Sequence, residues 1–133
     1  MTRILTTAAA LALLAGAASA ENMIDATGVA IDGATATFPM VSIDEDGYLV
    51  IHATLDGAPV APASIGHVAI PAGDNENVAV TIDYPFVAGE SYVAMLHNET
   101  NDNDTYDFGE GSTDVDVPVM ADGAPVTQAF QGE

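Results

Sequence analysis

Ser91-Tyr92-Val93-Ala94-Met95-Leu96-His97-Asn98 runs directly into Glu99-Thr100-Asn101-Asp102-Asn103-Asp104-Thr105-Tyr106-Asp107-Phe108-Gly109-Glu110. The first half is an apolar run too short for a helix and bounded by polar residues, which predicts a central strand. The second half has no apolar period and is crowded with oxygen-bearing side chains, which predicts a loop.

The same grammar holds on either side. Tyr48 to Thr54 places Leu49, Ile51 and Ala53 on one face and Tyr48, Val50 and His52 on the other. Apolar groups on both faces predict a second central strand. Asn77 to Asp83 alternates, with Val78, Val80 and Ile82 inward. Thr35 to Ile43 is a further strand, and its Pro39 lacks a ladder donor, which predicts an edge position or a bulge. Met23 to Ile31, Ile65 to Ile70 and Ala124 to Phe130 complete the set. Asp44-Glu45-Asp46-Gly47, Asp56-Gly57 and Pro71 to Glu76 are its turns. Turn signals recur about every 8–12 residues, and neither a helical period nor an internal repeat interrupts them. The reading is all-β: a single immunoglobulin-like β-sandwich of about seven strands. Tyr92, two residues before Ala94, stands where such sandwiches carry a tyrosine that braces the crossing between sheets.

Met1 to Ala20 reads as an export signal, with one positive charge at Arg3, an apolar run from Ala8 to Ala17, and Ala18-Ser19-Ala20 at its end. The run is short for a membrane span, which needs roughly 20 residues. Residues 21–133 are then one acidic domain, delivered to the periplasm or the medium. With no cysteine, the chain offers neither a lipidation site nor a disulfide. Its length is enough to bury about two-thirds of the unfolded surface without one.

All 20 acidic residues lie beyond Ala20, and the only basic residue, Arg3, lies before it. Such a surface repels nucleic-acid phosphates and anionic lipid head groups, which excludes both as partners. It attracts divalent cations and suits a salty medium, where screening relieves its self-repulsion. A protein or another envelope component is left as the partner, without a chemical signature to identify it.

The acidic loop suggests one specific cation. Counted from Glu99, Asn101 falls at position 3, Asn103 at 5, Thr105 at 7, Asp107 at 9 and Glu110 at 12. These are the oxygen positions of a calcium loop, with a backbone carbonyl serving at position 7. Glu99 stands where Asp is usual, Asp104 where Gly is usual, and no helices flank the loop. The competing reading is a solvated turn. A second metal reading uses His52, Met95 and His97. Alternation puts Met95 and His97 on one strand face, and imidazole with thioether suits copper. Its competitor is a pair of structural histidines. Catalysis is the least supported reading, because no cysteine nucleophile, Gly-x-Ser-x-Gly elbow, phosphate loop or His-Glu-x-x-His is present.

Tyr48-Leu49-Val50-Ile51-His52, the segment Gly73 to Phe86, and Val93 to Asn101 leading to Tyr106-Asp107-Phe108 resemble an uncharacterised exported β-sandwich family. It is a domain of unknown function common in surface and secreted proteins of halophilic archaea and also found in bacteria. The resemblance covers about residues 35–130. It implies an immunoglobulin-like fold and an extracytoplasmic setting, with no established activity. Members carry loops like Asp-Thr-Asn-Gly-Asn-Gly here, whereas this chain has Asp102 and Asp104 where the glycines stand. The combined expectation is a non-catalytic exported binding or structural domain, stabilised by calcium, with a periplasmic copper-binding protein as the alternative.

Overall fold

The computed structural model describes residues 21–132, so the export signal expected at residues 1–20 lies outside the described residues. In chain order the strands are β1 (Met23–Asp25), β2 (Ala30–Asp32), β3 (Thr35–Ile43), β4 (Gly47–Leu55), β5 (Ala58–Pro59) and β6 (Gly66–Ile70). β7 (Gly73–Thr81), β8 (Ser91–Asn98), β9 (Met120–Ala121), β10 (Ala124–Pro125) and β11 (Thr127–Gln131) follow. Among the described residues no helix is long and apolar enough to cross a membrane.

One sheet has β3 at its centre. β1 and β2 pair with successive parts of one side of β3, and β7 pairs along the other. The strand expected over Met23 to Ile31 is therefore two. The chain breaks at Thr27-Gly28, where Asp25 Oδ1 accepts the Thr27 N–H at 2.9 Å and Gly28 takes φ +78°. The second sheet runs β11-β8-β4-β6, with β5 folded back on the end of β4. Counting β1 and β2 as one interrupted strand, seven strands make the sandwich, and β9 with β10 forms a separate small hairpin. All pairings are antiparallel, in an immunoglobulin-like arrangement.

Two expectations change. β7 begins at Gly73, so Gly73 to Glu76 extends the strand instead of closing a turn. There Ser42 Oγ donates to Asp74 Oδ1 at 2.6 Å. Pro39 lies on a strand paired on both sides, not at an edge. It faces Asn77 (φ +54°) at the one step where the β3–β7 pairing lapses, and it falls between the segments paired with β1 and β2. Both strands change phase together there. Ala36 and Phe38 are buried before the step, Val41 and Ile43 after it, and the register stays constant.

Between the sheets lie Phe38, Ile43, Leu49, Ile51, Val80, Leu96 and Phe130. Phe38 meets Phe130 edge to face at 5.2 Å between ring centroids. Tyr92 fulfils its expected role, its buried hydroxyl accepting the Val87 N–H at 3.0 Å across the connection between the sheets. The reverse face of β4 and β8 is buried as well: Tyr48, Val50, His52, Val93, Met95 and His97 are all at most 5% exposed. A sheet in a two-layer sandwich normally leaves that face to water. Here loops cover it, and the candidate site lies beneath them.

Candidate functional site

The register of β4 and β8 assembles the site. Tyr48 pairs with His97, Val50 with Met95 and His52 with Val93, which puts all six side chains on one face. Val50 also pairs with His67 on β6, so the third histidine joins this face. The chain leaving β8 turns back over it. Asn98 N–H donates to Val117 O at 3.0 Å, Val119 N–H to Leu96 O at 2.8 Å, and Glu99 N–H to Asp46 O at 2.9 Å. Phe108 and Tyr106 then lie against His97 with ring centroids 4.9 and 5.2 Å away. Tyr106 also packs on His67 at 4.8 Å and on Tyr48 at 5.3 Å.

Asp116 locks this cover in place. It is fully buried in a left-handed conformation, φ +47°, which an aspartate tolerates better than most residues. Its carboxylate accepts the Thr100 N–H at 3.0 Å and the Asp107 N–H at 2.7 Å. Its own N–H donates to Thr100 Oγ1 at 2.7 Å, and its carbonyl accepts His97 Nδ1–H at 2.6 Å. Among the described residues no lysine or arginine is present to balance this carboxylate, and donated hydrogen bonds serve instead. The sequence reading missed Asp116, because Asp114-Val115-Asp116-Val117 alternates as though the valines were inside and the aspartates outside. Asp116 is in fact the buried residue of the four.

The acidic loop itself is exposed and ordered by its own side chains. Glu99 Oε1 accepts the N–H groups of Asn103 (2.8 Å) and Asp104 (3.0 Å), and Tyr48 Oη donates to Glu99 Oε2 at 3.1 Å. Asn101 and Asn103 donate their amides to Asp107 Oδ2 at 3.0 and 2.5 Å, which holds that carboxyl below its ordinary range. Burial and the Glu99 bond push the Tyr48 phenol up. Asp102 and Asp104 take φ +52° and +56°, left-handed values that explain why glycine suits both places. Glu99, Asn101, Asn103 and Asp107 are thus brought together. Thr105 stays beside them, its N–H on Asn103 Oδ1. Glu110 is apart, in a tight turn closed by reciprocal 3.0 Å bonds between Gly109 and Ser112.

Beside the loop opens a cleft of about 420 Å³ lined by Glu45, Asp46, Tyr48, Glu99, Asp102 and Asp104. Its ionisable groups are five carboxylates and one phenol, with no imidazole or amine among them. Among the described residues no three imidazole or carboxylate groups are placed to hold one metal ion. A cation in the loop would therefore draw on amide and backbone oxygens as well as carboxylates.

His52 and His97 are both fully buried, with ring centroids 6.1 Å apart and ring planes 29° from parallel. His52 shares its Nδ1–H between the carbonyls of Val60 (3.0 Å) and Ala63 (2.8 Å). Burial depresses the His97 imidazole from 6.5 to about 4, aided by nearby His52 and opposed by the hydrogen bond and charge of Asp116. Burial lowers His67 as well. Between pH 6.5 and 4 the unfolded chain therefore binds a proton at His97 that the native protein refuses. Native stability contributed here falls as the pH drops through that window, by roughly 3 kcal/mol in full. Urea midpoints of the metal-free protein at pH 7.5 and 4.5 will show this loss, and His97→Gln will shrink it. An equal loss in both proteins would assign acid sensitivity elsewhere.

Residues 22–131 match the family described as "Domain of unknown function (DUF7282)". The chain belongs to this family. It is also similar to Cell surface glycoprotein 1 of Haloarcula hispanica, with 33% identity over 98 residues. That alignment covers 74% of this chain and 10% of the glycoprotein, so the chain spans about a tenth of the curated relative it matches. No solved structure matches. The haloarchaeal surface family suggested by the strand and loop motifs is therefore the right one, and the chain folds as the expected all-β sandwich.

Proposed function

We propose that this DUF7282 domain is a non-catalytic module of the cell surface or its surroundings, acting outside the cytoplasm through binding or structure. The observation that carries this reading is the use made of the polar residues most expected to do chemistry. His97 and Asp116 are sealed beneath the loop, while the open cleft presents carboxylates and one phenol, with no imidazole, amine or thiol to work against them. The likeness to a haloarchaeal cell surface glycoprotein supports the same setting.

Within this reading a calcium ion binds the acidic loop, held by Glu99, Asn101, Asn103 and Asp107, with Thr105 supplying a backbone carbonyl. Three of these side chains, Asn101, Asn103 and Asp107, already meet, and the Glu99 carboxylate lies on the Asn103 and Asp104 N–H groups beside them. Both Asn amides can turn their oxygens inward when a cation replaces the mutual hydrogen bonds. Glu110 has no part in the loop as folded. Thermal unfolding in high sodium chloride, with calcium and then with chelator, tests this. Salt screens the diffuse attraction of 20 carboxylates for any divalent ion. A site occupied at a hundredfold excess over Kd adds about 2.7 kcal/mol, or several degrees in Tm. Glu99→Gln/Asp107→Ala will lose that increment. Equal increments in both proteins, or none, would leave the loop a self-bonded turn.

A further inference from the structure

The neighbouring histidines carry a different site, independent of the calcium loop. His52 and His97 each give Nδ1 to backbone carbonyls, and a carbonyl can only accept. Both rings therefore carry a proton on Nδ1, and in the neutral imidazole that tautomer leaves Nε2 as a lone pair. Neither Nε2 has a hydrogen-bond partner, although both residues are fully buried. An unpaired buried polar atom is costly, and two neighbouring rings bear one each. Fixing a histidine's second nitrogen on a carbonyl is also how proteins orient an imidazole for a metal.

Met95 is the third group. It is 5% exposed, two residues from His97 on β8 and diagonal to His52 across the β4–β8 pair, on the same face as both. Diagonal partners on a sheet lie about 7–8 Å apart at Cα, within reach of long side chains. All three donors are neutral, and none is a carboxylate. Such a set disfavours calcium and magnesium, which need oxygen, and does not supply the four ligands of a structural zinc. Imidazole with thioether suits a soft monovalent ion. Metal–imidazole bonds are about 2 Å long, so two rings turned with their Nε2 atoms toward one ion would stand about 6 Å apart at their centroids, the spacing of His52 and His97 at 6.1 Å. The buried Asp116 carboxylate, anchored next to His97, offsets a single positive charge.

We infer that His52 Nε2, His97 Nε2 and the Met95 thioether form a buried low-coordinate site for one cuprous or silver ion beneath the acidic loop.

The test is titration of the full domain with cuprous ion, supplied already reduced, against a chromophoric cuprous chelator, and with silver(I) followed by ¹⁵N NMR of the imidazoles. One equivalent should be withdrawn from the chelator. Silver should shift the two lone-pair Nε2 resonances of His52 and His97 while leaving their Nδ1–H resonances and His67 in place. Met95→Leu keeps the volume and the fold and should weaken binding at least tenfold; His52→Gln should weaken it further. No withdrawal by folded wild-type protein would overturn the site. Wild-type affinity in Met95→Leu would also overturn it, by assigning capture to other methionines. If His52→Gln fails to fold, the Met95→Leu titration and the wild-type ¹⁵N shifts still decide. The calcium melting experiment is indifferent to either result.

Discussion

Asp116→Ala will destabilise the domain by about 3–5 kcal/mol and release the acidic loop from the sheet. The carboxylate is the acceptor for two backbone N–H groups, those of Thr100 and Asp107. Each loses a charged, partly buried acceptor in the variant, at about 1–3 kcal/mol apiece. Alanine also adopts φ +47° less readily than aspartate, which adds to the cost. Loss of the loop's anchor then exposes Phe108, Tyr106 and the His97 ring beneath them to water. Asp116→Asn keeps one carbonyl oxygen and tolerates the left-handed backbone, so it will cost about half as much. Urea denaturation followed by far-ultraviolet circular dichroism measures both values, since the chain has no tryptophan. Amide exchange will show the loop, residues 99–117, opening before the sheets. An Asp116→Ala domain within about 1 kcal/mol of wild type would mean that the loop is held by its aromatic contacts alone.

Gly47→Ala carries the other large effect, for a steric reason. Gly47 opens β4 and pairs with Asn98 at the end of β8. A Cβ there would lie 2.0 Å from the His97 carbonyl oxygen and 2.8 Å from Ile43 Cδ1. A side chain such as Ile43 can turn aside, but a backbone oxygen moves only with its strand. Relief therefore requires β4 and β8 to separate just where the acidic loop begins. The expected cost exceeds about 4 kcal/mol, or a fall of more than about 15 °C in Tm. Gly33→Ala is the control. It has open space around the new carbon and pays only for a left-handed alanine, about 1–2 kcal/mol. Thermal melts of the two variants compare the terms directly; equal losses would show that the close approach at Gly47 is relieved without parting the strands.

Much of the sandwich was legible because strand signals are local. β3 occupies Thr35 to Ile43 as expected, β4 and β8 are central, and Tyr92 braces the sheet crossing. Strict alternation failed where two chains had to be known together. The inward phase of β3 switches at Pro39 only because Asn77 opposite it adopts a left-handed turn. The loop's membership was legible in part: Glu99, Asn101, Asn103 and Asp107 do converge, because close spacing along a tightly wound chain brings oxygens together. Glu110 lies apart because the chain has already entered a new turn at Gly109.

Composition and alternation alone determined the all-β class, the acidic surface and the face of β4 and β8 that carries His52, Met95 and His97. They act over a few residues, and side-chain direction in a strand follows from position. Only the tertiary structure decided that this face is covered, because burial depends on where the chain goes after it leaves β4 and β8. Asp116 returns there to accept His97, and Val60 and Ala63 return to accept His52. Two histidines that alternation marks only as sharing a face thereby become dry and directed, through contacts 8 to 19 residues away along the chain.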